Sequence, residues 1–187
     1  MKKNLLRISM VAMCAILMSG LMTGCNKDKN EPDDPQNPDP GPAVAARADA
    51  TFIVSKDMLK LLDITIDYYS SDGSQKQLAL TTEEFHLDTK AALPAKAGMQ
   101  VTLKIKDGVD PASFEEVDFR SHIAFKCAAV DANDIIVGEM HKVDGVSLGA
   151  IMAGKNAQTF VDAWNKEHPA SFLFDFDKDG NSKSIKW

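Results

Sequence analysis

Leu62-Asp63-Ile64-Thr65-Ile66-Asp67-Tyr68 and Met99-Gln100-Val101-Thr102-Leu103-Lys104-Ile105-Lys106 carry the pattern that decides the fold. Apolar and polar side chains alternate through both, as a strand needs when one face is buried and the other is wet. Around these two the same period recurs more weakly at Ala50 to Val54, Gln77 to Thr81, Phe85 to Asp88, Ser121 to Val130 and Asp134 to His141. Ser71-Asp72-Gly73, Asp107-Gly108, Asp131-Ala132-Asn133 and Asp144-Gly145 separate them with residues that favour tight reversals. Near the end, Asp179-Gly180 predicts a two-residue hairpin turn that sets Phe174 opposite Ile185 and Phe172 opposite Trp187. Large apolar pairs would then meet across the strands.

One helix is expected, from a cap at Asn156 to the residues before Pro169, with Ala157, Phe160, Val161 and Trp164 as its apolar stripe. Val146 to Ala153 fits strand and helix equally. Many short strands with one short helix before a C-terminal hairpin predict a mainly β protein, an antiparallel β-sandwich of immunoglobulin-like character. No repeat of 20 to 50 residues points to a propeller or solenoid.

The first 47 residues follow different rules. Lys2, Lys3 and Arg7 precede an uncharged, largely apolar run from Ile8 to Leu21, which is shorter than the ~20 residues that span a bilayer. Leu21-Met22-Thr23-Gly24-Cys25 then sets small residues directly before a cysteine. This segment resembles the lipobox of bacterial lipoprotein signal peptides, although Met22 stands where Leu or Val is commoner. The resemblance implies cleavage after residue 24 and acylation of Cys25, so that residues 1–24 are a signal peptide. A single acyl chain holds a protein on a membrane only marginally, whereas several hold it stably.

Residues 25–47 read as a tether. Pro32, Pro35, Pro38, Pro40 and Pro42 alternate with Asp28, Glu31, Asp33, Asp34 and Asp39, and such a stretch cannot bury enough apolar area to fold. In polyproline geometry, at about 3.1 Å per residue, it would reach on the order of 60 Å. Lys27-Asp28 is similar to the lysine-plus-acid signals that send some lipoproteins of the Bacteroidota to the cell surface. That implies an outer-membrane protein displayed outward.

The remaining residues, 48–187, are enough for a single domain with its own hydrophobic core. Of the three cysteines, Cys14 leaves with the signal and Cys25 is acylated in this reading, so Cys127 stands alone and no internal disulfide is expected. Loss of three cations with the signal takes the formal charge from −6 to −9, which disfavours nucleic acid as a partner.

Few residues suggest chemistry. Asp175-Phe176-Asp177-Lys178-Asp179-Gly180-Asn181 resembles the first half of an EF-hand calcium loop, which would make Asp175, Asp177 and Asp179 ligands, but the twelfth position is Lys186 instead of a bidentate glutamate. The hairpin explains the same residues without a metal. Ser121 and His122 are adjacent on a strand and therefore point to opposite faces. His86, His141 and His168 lack zinc-ligand spacing. Cys127 shares a face with Ile123, Phe125 and Ala129 and reads as a buried hydrophobe. Glu83-Glu84 and Glu115-Glu116 read as solvated acids. Tyr69, on the polar face beside Asp67 and Thr65, is a candidate for an exposed aromatic platform, and Trp187 a weaker one.

The expectation is a non-catalytic binding or structural module, without a cofactor, whose partner is the membrane through its lipid and a surface protein or glycan. Two alternatives compete. One is a small hydrolase built from Asp, Glu and His residues gathered by the fold. The other rests on a resemblance to fimbrillins, lipoprotein pilus subunits trimmed after an arginine, which Arg47 would supply.

Overall fold

The computed structural model describes residues 39–187. Cys25, the signal sequence and most of the tether lie outside the described residues. The unit from Pro38 to Trp187 is built on antiparallel sheets. One sheet has four strands in the order β4 (Glu84–Ala92), β1 (Ala45–Val54), β7 (Ser121–Val130) and β8 (Ile136–Leu148). The other has five, in the order β11 (Ser182–Ser184), β10 (Ser171–Phe176), β5 (Ala95–Ile105), β2 (Leu62–Tyr69) and β3 (Gln75–Ala79). A short ladder joins β6 (Val117–Asp118) to β9 (Ile151–Met152). The expected mainly β sandwich with a helix near its end is therefore present.

Alternation does the work foreseen for it. Leu62, Ile64 and Ile66 of β2 and Met99, Val101 and Leu103 of β5 are buried in the core. Opposite them lie Ile123, Phe125 and Cys127 of β7. Aromatic stacking knits the sheets together: Phe125 lies 4.9 Å from Phe172 and 6.1 Å from Phe174, ring centre to ring centre.

β1 begins at Ala45, three residues before the expected domain boundary, and lies between β4 and β7. Alanine is a weak strand former, but here Ala46, Ala48 and Ala50 face the core, where their small side chains fit. Packing in a central strand overrides local preference.

Ser55 ends β1 and caps a helix that sequence reasoning missed, α1 (Lys56–Leu61). The Ser55 hydroxyl accepts from the Met58 N–H at 3.1 Å and donates to the Asp118 carbonyl. Met58 and Leu61 are buried beneath it. Ser55 followed by apolar residues at three-residue spacing was the available signal.

The expected second helix is α2 (Ala157–Glu167). Asn156 makes no side-chain capping bond; a 3-10 turn over Gly154–Asn156 leads in, and His168 closes the helix in the left-handed region at φ 49°. The stripe buries Ala157, Val161 and Trp164. Beyond Gln100, β5 has no neighbour from β10, and α2 takes its place. Trp164 Nε1 donates to the Val101 carbonyl at 2.9 Å. The Asn165 amide accepts from Leu103 N–H at 3.0 Å and donates to its carbonyl at 2.7 Å, imitating a strand neighbour. Backbone groups that would otherwise be orphaned are thus satisfied.

Two further sequence expectations need correction. Asp144-Gly145 is not a reversal but lies within β8, where Ile123 pairs with Val146 and Phe125 with Val143. That register shift is a β-bulge, and Gly145 at φ 65° supplies the left-handed residue. The last hairpin is also one residue out of the expected register: Phe174 lies opposite Ser184, Asp175 opposite Lys183 and Phe176 opposite Ser182. Its loop is longer than two residues. Gly180 N–H returns to the Asp177 carbonyl, Asp177 N–H meets the Asn181 carbonyl, and Gly180 sits at φ 84°. This is a type I turn closed by a left-handed glycine, with aspartate first and glycine fourth.

Candidate functional site

A one-residue change of register turns every side chain of a strand to the other face. In the expected pairing, Ile185 and Trp187 would have joined Phe172 and Phe174 in the core. In the observed one, Ser182 and Ser184 share the inner face with Phe176 and Phe174, and the residues alternating with them turn outward. Trp187 reaches Tyr69 of β2, with ring centroids 5.5 Å apart and planes inclined by 33°. Two aromatic residues 118 positions apart in sequence thus form a pair on the solvent side of the five-stranded sheet. Neither belongs to the core cluster, and both are partly exposed.

Beside Tyr69 is a hollow of about 280 Å³, lined also by Ser71, Asp72, Pro94 and Lys96. Asp72 is committed to its own turn. Its Oδ1 accepts from the Ser70 hydroxyl at 2.5 Å and from the Ser74 amide at 2.9 Å and hydroxyl at 2.5 Å. The Ser70 and Ser74 hydrogen bonds hold its pKa well below the ordinary aspartate range. Lys96 makes no ion pair with the described residues. Across the rest of this face run amides, hydroxyls and a carboxylate: Asp67 lies between Gln77 and Gln100, and Thr65 faces Thr102. The Gln77 amide donates to Asp67 at 2.9 Å.

Turned inward, Ser182 meets His141 of β8, with Oγ 2.6 Å from Nε2. The His141 ring lies flat on Phe174, 4.0 Å between centroids, and Glu139 Oε1 stands 3.7 Å from Nδ1. This is the distance between a nucleophile and its base, but the third member is too far for a hydrogen bond and is largely exposed. The contact ties the last hairpin of one sheet to the edge strand of the other.

The other candidates separate. Asp175 pairs with Lys183 at 3.2 Å, Asp179 with Lys178 at 2.7 Å, and Asp177 accepts from the Asp179 and Asn181 amides at 2.9 Å. Each of the three carboxylates thus has a different partner. Among the described residues no three His, Cys, Asp or Glu side chains are grouped to hold an ion. His86 contacts Glu84 at 2.9 Å on the surface, and His168 is the cap of α2. Ser121 is buried while His122, its neighbour, is partly exposed on the opposite face. Glu83 reaches Lys56 at 3.8 Å, and Glu115 and Glu116 are exposed. Burial pushes the Cys127 thiol up to about 12, which disfavours the reactive thiolate.

A second hollow, of about 260 Å³, lies on the outer side of the four-stranded sheet against Arg47, Lys126, Ala128, Ile136 and Met140. Two of its four charged residues are engaged, Arg47 with Asp88 at 3.2 Å and Asp134 with Lys90 at 2.6 Å. Tyr69 was legible as an outward aromatic from alternation alone. Trp187 and Ser182 were not, because their faces depend on the turn; Asp177 and Gly180 three apart were the signal. No family model, characterised protein or solved structure matches this chain.

Proposed function

We propose that the protein is an outer-membrane lipoprotein, held by acyl groups on Cys25, that carries a non-catalytic binding domain outward on its acidic, proline-rich tether. The export reading rests on the order of cations, apolar run and small residues before Cys25. The observation that carries the binding reading is the Tyr69–Trp187 pair, which stands outside the core and beside a hollow. Partly exposed aromatic surface outside the core cluster is surface that a partner can use. A tether of this composition raises the effective concentration of such a domain near other surface components.

The hydrolase alternative has one observation in its favour, the Ser182–His141 contact, but among the described residues no acid is hydrogen-bonded to that histidine. The pilus alternative would require trimming after Arg47. Arg47 lies within β1, paired with Lys90 on one side and Ala128 on the other, so cleavage there would sever a central strand.

Two measurements in the native host test the proposal. Cys25→Ser should move the protein from the membrane pellet to the soluble fraction, and protease added to intact cells should degrade the wild-type protein. Equal sedimentation of the variant, or protection of the wild type until the cells are lysed, would refute anchoring or display respectively.

A further inference from the structure

Within the binding reading, on which this step rests, the chemistry around Tyr69 narrows the ligand. We propose that the solvent face of the five-stranded sheet, centred on Tyr69 and Trp187, binds the pyranose units of a polysaccharide. A pyranose ring presents an apolar C–H face and a rim of hydroxyls. The complementary surface is a flat aromatic one bordered by groups that donate and accept hydrogen bonds without strong net charge.

The face meets those requirements in order. Tyr69 and Trp187 supply the ring surface, with centroids 5.5 Å apart, planes inclined by 33° and both rings partly exposed. The hollow against Tyr69, about 280 Å³, is of the size of one or two sugar rings and is bordered by the Ser71 hydroxyl and the Lys96 amine. Asp72, the one acid there, has its Oδ1 occupied by Ser70 and Ser74, which leaves Oδ2 to accept from a ligand's hydroxyl. Further along, Gln77 and Gln100 flank Asp67; the Gln77 amide donates to Asp67 at 2.9 Å, and the remaining amide and carboxylate positions can engage a ligand's hydroxyls.

The same geometry disfavours a peptide. An extended peptide gains affinity by pairing with an open strand edge. The aromatic pair instead occupies the face of the sheet: Tyr69 belongs to β2, which has β5 and β3 on either side, and Trp187, which follows the edge strand β11, reaches over that face to meet it. A nucleic acid would meet a chain of net charge −6.

The test uses the lipidated chain in detergent micelles, run in native gels containing soluble polysaccharides: glucan, mannan, xylan and polygalacturonate, each separately. At least one should retard the protein. Tyr69→Ala and Trp187→Ala should each weaken that retardation by tenfold or more, while Trp187→Phe keeps part of it and all three variants melt like the wild type. The chain has two tryptophans, and Trp164 is 3 % exposed, so a fluorescence change on adding the active polysaccharide should vanish with Trp187→Phe. Retardation by none of the four, or retardation that survives both alanine substitutions, overturns the sugar assignment. If instead an immobilised peptide library binds the wild type and not Tyr69→Ala, the sugar class falls and the binding module stands.

Discussion

Gly180 sets the register on which the outer aromatic pair depends, and its replacement by alanine makes a quantitative test. Gly180 and Gly73 both lie in the left-handed region, at φ 84° and 77°. For a residue with a Cβ, that conformation costs about 1–2 kcal/mol. Loss of glycine's freedom in the unfolded chain offsets about 0.4–1 kcal/mol of this. Gly73→Ala adds nothing else, because no atom lies within 4 Å of the new Cβ, and it should destabilise by about 1 kcal/mol. At Gly180 the new Cβ would sit 2.6 Å from Ala43 Cβ and 3.0 Å from Ala129 Cβ. Ala129 is fully buried in β7 and cannot yield without moving the strand. Overpacking of this kind adds about 1–3 kcal/mol, so Gly180→Ala should lose about 2–4 kcal/mol in all. Urea unfolding of the chain starting at residue 25 with Cys25→Ser, followed by far-ultraviolet circular dichroism, measures both. Equal losses at the two glycines would refute the claim that the hairpin tip is packed against the opposite sheet.

Three further outcomes follow from the structure. Asn165→Ala should cost about 2 kcal/mol in the same unfolding assay, since it removes two hydrogen bonds worth about 1 kcal/mol each from the uncovered edge of β5; a loss under about 0.5 kcal/mol would mean water replaces the amide. Asp131 accepts from the Gly41, Ile135 and Asn133 amides, led by Gly41, and these bonds lower its pKa from the ordinary 3.8. A depressed folded value contributes stability above the unfolded value and loses it as pH falls through the folded one, so acid unfolding should steepen below about pH 3.8 and be shallower in Asp131→Asn. Because Asp175, Asp177 and Asp179 have separate partners, the melting temperature should be the same in calcium and in a chelator, and a calcium-dependent rise would restore the EF-hand reading.

What the sequence determined by itself was local. Period-two alternation placed β2, β5 and β7 and told which residues face inward, Cys127 among them, because successive Cβ atoms on a strand must diverge. The apolar stripe of α2 and its end before Pro169 were equally readable. The order of apolar run, small residues and Cys25 was read in the same local way, and it concerns residues beyond those described. What only the tertiary structure decided was which strands meet and in what register. Alternation fixes the two faces of a strand but not its neighbour, so the placement of alanine-rich β1 between β4 and β7 follows from packing. In the last hairpin, one extra loop residue closed by Gly180 was enough to send Trp187 outward to Tyr69 and Ser182 inward to His141. A turn's hydrogen bonds involve a few adjacent residues, yet they set the face of every side chain that follows, and the partners on that face come from strands far away in the chain.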